Sequence, residues 1–287
     1  MTDATMPAPL TVLRGALRGA MLEVRSQFRT VYGWSWFFIP LAGLAAMWSL
    51  RDNAIRDSAV SVAQFGVPGL LAMYLVVGGM VGISSQIVTD TEDGTLLRAK
   101  AVPHGMAAHL AARALVLTLF TVLPIVFMLV GAKIFIPDAV QLDAAGAATL
   151  VWVILLGLTS TLPIGALLGA VLKGPMALMW ASLLIYSSLA VSGIFYPLSA
   201  MPTWLQWVGQ ALPTYWAGLG LRSAMLPDAA AALEIGGSWR PVLTLVVLLA
   251  WTLVGALLVP AALRRVSRRQ TTSLVSAARD RVMSRGY

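Results

Sequence analysis

The chain has 287 residues, of which 59% are hydrophobic and only 11% charged, with twenty Lys and Arg against twelve Asp and Glu and a formal net charge of +8. Soluble domains carry roughly 25% charged residues, so an ordinary water-soluble fold is excluded and an all-α integral membrane protein is expected. There is no cysteine, which removes disulfides, thiolate metal sites and thiol nucleophiles.

Met1 to Leu10 is polar and proline-containing and Arg14 to Arg29 is basic, so no cleavable signal is expected. On a helical wheel Arg14, Arg18, Arg25 and Arg29 cluster, and Leu10, Leu13, Leu17, Met21, Val24 and Phe28 form the adjoining stripe. Such a helix lies on a membrane surface and is held there by anionic lipids. The +8 charge therefore reads as membrane anchoring, with no nucleic-acid partner.

Uncharged runs mark the crossings, each needing about 20 apolar residues. Tyr32–Leu50 is the first, a stretch from about Phe65 to Val88 the second, Ala114–Ala132 the third and Ala144–Leu172 the fourth. The 48 residues from Gly174 to Leu221 carry no charge, yet Pro197, Pro202 and Pro213 forbid one unbroken helix. Read as a single crossing, Pro175 to Tyr196, this run leaves Pro241–Leu263 as the sixth. Six crossings place fifteen Lys and Arg on one side and five on the other, so the first set, including the seven-arginine tail after Leu263, is expected in the cytoplasm with both termini. The expected organisation is residues 1–31 as an interface helix, 32–263 as a six-span domain and 264–287 as a basic tail.

Two segments between crossings stand out. Thr89 and Glu92 have the spacing of a capping box, Gly94 permits a tight turn, and Thr95–Val102 suits a short helix stopped by Pro103. Leu198–Leu212 reads as one short amphipathic re-entrant or interfacial helix, with Trp204, Leu205, Val208 and Leu212 on one face and Thr203, Gln206 and Gln210 on the other.

Several chemistries are missing. Lys100, Lys133 and Lys173 all lack the glycine context of a phosphate-cradling loop. His104 and His109 are not spaced to share a helix face and show no nearby carboxylate, so no metal site is expected. The crossings hold no acidic or basic residue of the kind that relays protons or ions. Such a protein is passive or driven by another protein, and the charged loop helix favours the second. A membrane-embedded lipid-modifying or assembly protein, or a passive channel, remains the alternative; the first would need a polar catalytic cluster and the second polar rings along a pore.

Glu92-Asp93-Gly94-Thr95-Leu96 followed by Pro103 resembles the E-x-G-T-L…P stretch of type-2 permeases of ATP-binding-cassette exporters. Ser192-Gly193-Ile194-Phe195-Tyr196-Pro197, Met201-Pro202, Trp204-Leu205, Leu212-Pro213, Tyr215 and Leu221-Arg222 resemble that family's signature after the fifth span. Over Tyr32 to Leu263 the chain is similar to the drug, antibiotic and nodulation-factor exporters. The resemblance implies a permease in a bacterial plasma membrane that moves a hydrophobic or amphipathic substrate. It implies pairing with a second copy or a related permease and with two ATPase subunits. ATP and Mg would be bound by the ATPase, with no cofactor and no catalytic residue in this chain. By position, the ATPase contacts would be the helix bearing Arg14, Arg18 and Arg25 and the loop residues Glu92, Asp93, Gly94, Thr95, Leu96 and Arg98. The family's acidic residue after G-T-L is replaced here by Leu97 and Arg98.

Overall fold

The computed structural model describes residues 8–55, 60–102, 105–172 and 176–284. Among them there is no β-strand, only an isolated bridge between Ala54 and Ser61. Hydrocarbon offers the backbone no partners, so a chain this apolar must close its hydrogen bonds within helices.

Helix α1 (Ala8–Phe28) leads into a short α2 (Val31–Ser35) and then α3 (Phe38–Ser49). Between Leu13–Phe28 and Gly33–Ser49 the axis turns by 85°. Aromatic rings fasten the turn: Phe28 stacks on Phe120 at 5.0 Å, Trp34 meets Phe28 edge-on at 6.0 Å, and Phe37 meets Phe127 edge-on at 5.8 Å. The expected first crossing, Tyr32–Leu50, corresponds to the limb Gly33–Ser49 beyond this turn, and the twelve residues of α3 rise only about 18 Å.

Next, α4 (Val62–Val76), a π-helical turn at Val77–Val81 and α5 (Gly82–Glu92) form one 31-residue rod. Its start is a true capping box: Ser61 Oγ accepts from the Gln64 N–H at 3.1 Å and Gln64 Oε1 accepts from the Ser61 N–H at 2.7 Å. After α6 (Thr95–Lys100), α7 (Gly105–Phe135) is a second rod and α8 (Ala144–Val171) a third, its Gly146 N–H donating to Asp143 Oδ1 at 2.6 Å. The chain continues as α9 (Ala177–Val191), α10 (Thr203–Ala211), α11 (Pro213–Met225) and α12 (Pro241–Ser284). By length and composition four helices suffice to cross a membrane: Val62–Glu92, Gly105–Phe135, Ala144–Val171 and Pro241–Ala262. The apolar helix α9 is shorter, at 15 residues.

The core forms where α4, α7, α8 and α11 meet, with Leu71, Leu75, Ile125, Val153 and Leu221 fully enclosed. The π-helical turn lies at its centre. A side chain at Gly78 would overlap Thr121 of α7, and one at Gly79 would overlap Thr161 of α8. Both threonine hydroxyls donate to their own helices, to Leu117 O and Gly157 O at 2.7 Å.

Several expectations are corrected. Thr89 and Glu92 do not make a capping box: α5 runs on through Glu92, and the Thr89 carbonyl accepts from the Asp93 N–H at 2.9 Å. Much of the apolar stripe expected along α1 faces outward, with Val24 and Phe28 packed against α7. Leu13, Leu17 and Met21 are exposed, while Ala16 and Ala20 are buried and Gly15 and Gly19 stand against Ala108 and Ala112 of α7. In a membrane the large apolar side chains suit lipid, and small residues let two backbones approach. The segment expected as one short amphipathic helix, Leu198–Leu212, holds a 3₁₀ turn at Leu198–Ala200 and one such helix, α10, with α11 following from Pro213. On α10 Trp204 and Val208 are exposed, while Gln206 and Gln210 are half-buried. Amide groups facing hydrocarbon would go unpaired, so they seek carbonyls within the protein; Gln206 Nε2 donates to Met201 O at 2.8 Å. Pro103, His104, Lys173 and Pro175 lie outside the described residues.

Candidate functional site

Two polar constellations lie at opposite ends of the rods. At the α1 end, α5 stops at Glu92, Asp93 caps it, and Gly94 reverses the chain with φ 68°. That left-handed conformation favours glycine, and no atom lies within 4 Å of where a Cβ would stand. α6 follows at once, with Thr95 its first residue. Arg98 folds back over the turn, its Nη2 donating to Thr95 Oγ1 at 3.0 Å and to Asp93 O at 3.4 Å. Glu92, Asp93 and Arg98 are exposed, as are Arg14, Arg18 and Arg25 on α1; the side chain of Leu96 lies outside the described residues.

Behind this surface sits a cluster that the sequence reading overlooked. Asp90 of α5, with 3% of its side chain exposed, receives Arg113 Nη2 at 2.9 Å and Nε at 3.4 Å. His109 Nε2 lies 2.7 Å from its Oδ2. Arg113 Nη1 reaches across to Glu23 Oε1 of α1 at 2.6 Å, and Gln27 Nε2 donates to the same oxygen at 3.3 Å. The expectation that His109 lacks a carboxylate partner is therefore corrected. Asp90 is nineteen residues distant in sequence and reaches His109 because α7 begins at Gly105, well before its apolar core. Among the described residues no group of three or more potential ligands is placed to hold a metal ion. The spacing of His109 and Arg113, one helical turn apart on α7, was the available signal.

At the far end the signature residues after α9 are drawn together around the α10–α11 hairpin. Ser192 caps α9, its Oγ donating to Leu189 O at 2.8 Å. Gly193 turns the chain with φ 64°, where a Cβ would meet Leu198 Cβ at 2.8 Å. Pro197 and Pro202 precede a short 3₁₀ turn and α10, and Pro213 starts α11. Phe195 and Trp204 are exposed, whereas Tyr215 and Arg222 are fully buried.

Arg222, a signature residue expected outside the crossings, is buried in the core by α11. Its Nε lies 2.6 Å from Glu234 Oε1, Nη1 donates to Gly193 O at 3.4 Å, and the guanidinium sits over the Phe65 ring at 4.8 Å. A second arginine, Arg240, holds Gln210 Oε1 at 2.9 Å, bonds the Tyr215 hydroxyl and lies 5.0 Å above Trp216. Sequence reasoning counted Arg222 and Arg240 as loop cations and passed over Glu234. Their placement in the first charged stretch after 48 uncharged residues was the one hint.

Neither constellation offers a nucleophile paired with a base or a cradle for phosphates. What both can do is hold helices in register. Over residues 37–261 the chain matches the family model described as ABC-2 family transporter protein. No curated protein matches it.

Proposed function

The chain belongs to the ABC-2 family of transporter proteins, and from that premise we propose that it is the membrane permease of an ATP-driven exporter for a hydrophobic or amphipathic substrate such as a drug, antibiotic, lipid or glycolipid. A permease subunit of an ABC transporter works with a separate ATP-binding subunit. The observation that carries the reading further is the link from α1 to the end of α5, just before α6, through Glu23, Arg113 and Asp90. Two exposed helices, one bearing arginines and the other launched from Glu92-Asp93-Gly94, flank the buried Asp90 cluster.

In this reading the α1 end faces the cytoplasm of a bacterium and docks ATPase subunits through Arg14, Arg18, Arg25, Glu92, Asp93, Gly94, Thr95, Leu96 and Arg98. The exposed apolar side chains of α1 rest on the inner leaflet. The α10–α11 hairpin lies on the outer side, the chain crosses six times with α3 and α9 as the two short crossings, and two permease chains enclose the pathway. ATP and Mg belong to the ATPase. The divisions 1–31, 32–263 and 264–287 correspond to docking helix, transport domain and basic tail.

The test is copurification from the native membrane. A soluble ATPase of about 30–35 kDa should associate with the tagged chain and raise its thermal stability, as a ligand specific for the folded state does. The chain by itself should hydrolyse no ATP. Robust turnover by the purified polypeptide would overturn the reading.

A further inference from the structure

Arg113 of α7 touches two other helices, α1 through Glu23 and α5 through Asp90. α1 packs on α7 through Gly15, Ala16, Gly19 and Ala20 and through the Phe28–Phe120 stack. α5 packs on α8, where a side chain at Gly165 would overlap Met80 O and Ile83, and one at Gly169 would meet Ser84 O at 2.8 Å. α5 and α7 touch at Gly82 and Leu117, and Met106 and Leu110 of α7 pack against the buried group that includes Ile83 and Ile87. Nearer the α1 end the two helices line an apolar cavity of about 250 Å³, bounded by Ile83 and Ile87 on one side, Leu110 and Ala114 on the other, with Leu162 and Val259 behind. Apolar packing is therefore incomplete where α5 approaches the turn into α6.

The polar cluster bridges this gap. Asp90 is all but enclosed, and a buried carboxylate persists only when paired. Arg113 grips it with both Nε and Nη2, a fork geometry that fixes direction as well as distance, and His109 holds the second side of Oδ2. The same guanidinium reaches Glu23 of α1 with Nη1.

We propose that Arg113, assisted by His109, is a positioning residue that clasps Asp90 across the apolar gap and ties α1 to the α5–α6 turn, so that the two helices facing the ATPase move as one body. The clasp follows from the geometry; its role in coupling rests on the permease reading.

The chain lacks cysteine, so Ser26→Cys with Ala101→Cys, both exposed and outside the cluster, can be spin-labelled in full-length protein in lipid nanodiscs. Electron–electron distance measurement should give a single narrow distribution. Arg113→Met should at least double its width, and Arg113→Lys, which supplies one charge without the fork, should give an intermediate width. If Arg113→Met does not yield monodisperse protein, Glu23→Leu, which cuts the α1 link alone, carries the test and should broaden the distribution likewise. A parental width in Arg113→Met, or in Glu23→Leu where that variant decides, overturns the clasp. These widths are measured without ATPase or nucleotide. A parental pair left unmoved by the copurified ATPase and ATP would count instead against the permease reading.

Discussion

Arg222 of α11 and Glu234 of the segment before α12 face each other at 2.6 Å, and neither side chain reaches solvent. They join α11 to the segment that precedes α12. Removing one partner of a buried pair leaves a stranded charge and costs about 3–5 kcal/mol, whereas replacing both by apolar groups of similar volume is often neutral. Arg222→Met and Glu234→Leu should each lower the thermal midpoint of the purified chain in detergent, and the double variant should regain more than half of the loss. Equal losses in single and double variants would show that packing, and not charge, holds the hairpin.

The π-helical turn makes a second prediction. Gly78 and Gly79 let the rod pass between Thr121 and Thr161 without room for a methyl group. Overpacking of this kind costs about 1–3 kcal/mol. Gly79→Ala should be destabilising, and Thr161→Gly in the same chain should relieve it, read as recovery of the thermal midpoint. Independent, additive losses would rule out steric contact as the cause.

Gly94 separates conformation from contact. Its φ of 68° disfavours β-branched residues while the space around it is open. Gly94→Val should weaken copurification of the ATPase with insertion unchanged, and Gly94→Asn, which tolerates the left-handed region, should retain most of it. Loss with both substitutions would mean that the partner's surface meets residue 94 itself. Glu92→Ala should weaken the same association, its carboxylate being exposed at the end of α5.

The orientation of the chain is tested by single cysteines. Ser199→Cys or Ala229→Cys, both exposed at the far end, should react with an impermeant thiol reagent added to intact cells, and Ser276→Cys should not. The reverse pattern would place the arginine-rich tail outside and remove the docking surface from the cytoplasm.

The membrane class, the helical rods and the turn at Gly94 were legible because hydropathy and chain reversal are local properties. An uncharged run has one cheap environment, and a glycine in the left-handed region answers to its own backbone. The proline-bounded stretch after α9 was also legible as a break. What lay beyond it was not, because α11 is apolar enough to pass for lipid-facing helix and is buried by its neighbours instead.

Faces and partners were decided only in three dimensions. The wheel of α1 showed one apolar stripe, of large side chains, whereas the small residues Gly15 and Gly19 meet α7 because it presents Ala108 and Ala112 at matching height. On α10 the amides of Gln206 and Gln210 donate to carbonyls of the protein while Trp204 and Val208 stay exposed. Glu23 and Arg113 are ninety residues apart, and Arg222 and Glu234 are separated by a chain reversal. A charge in the sequence declares only that it must be solvated or paired; which of the two, and by whom, depends on the helix packed against it.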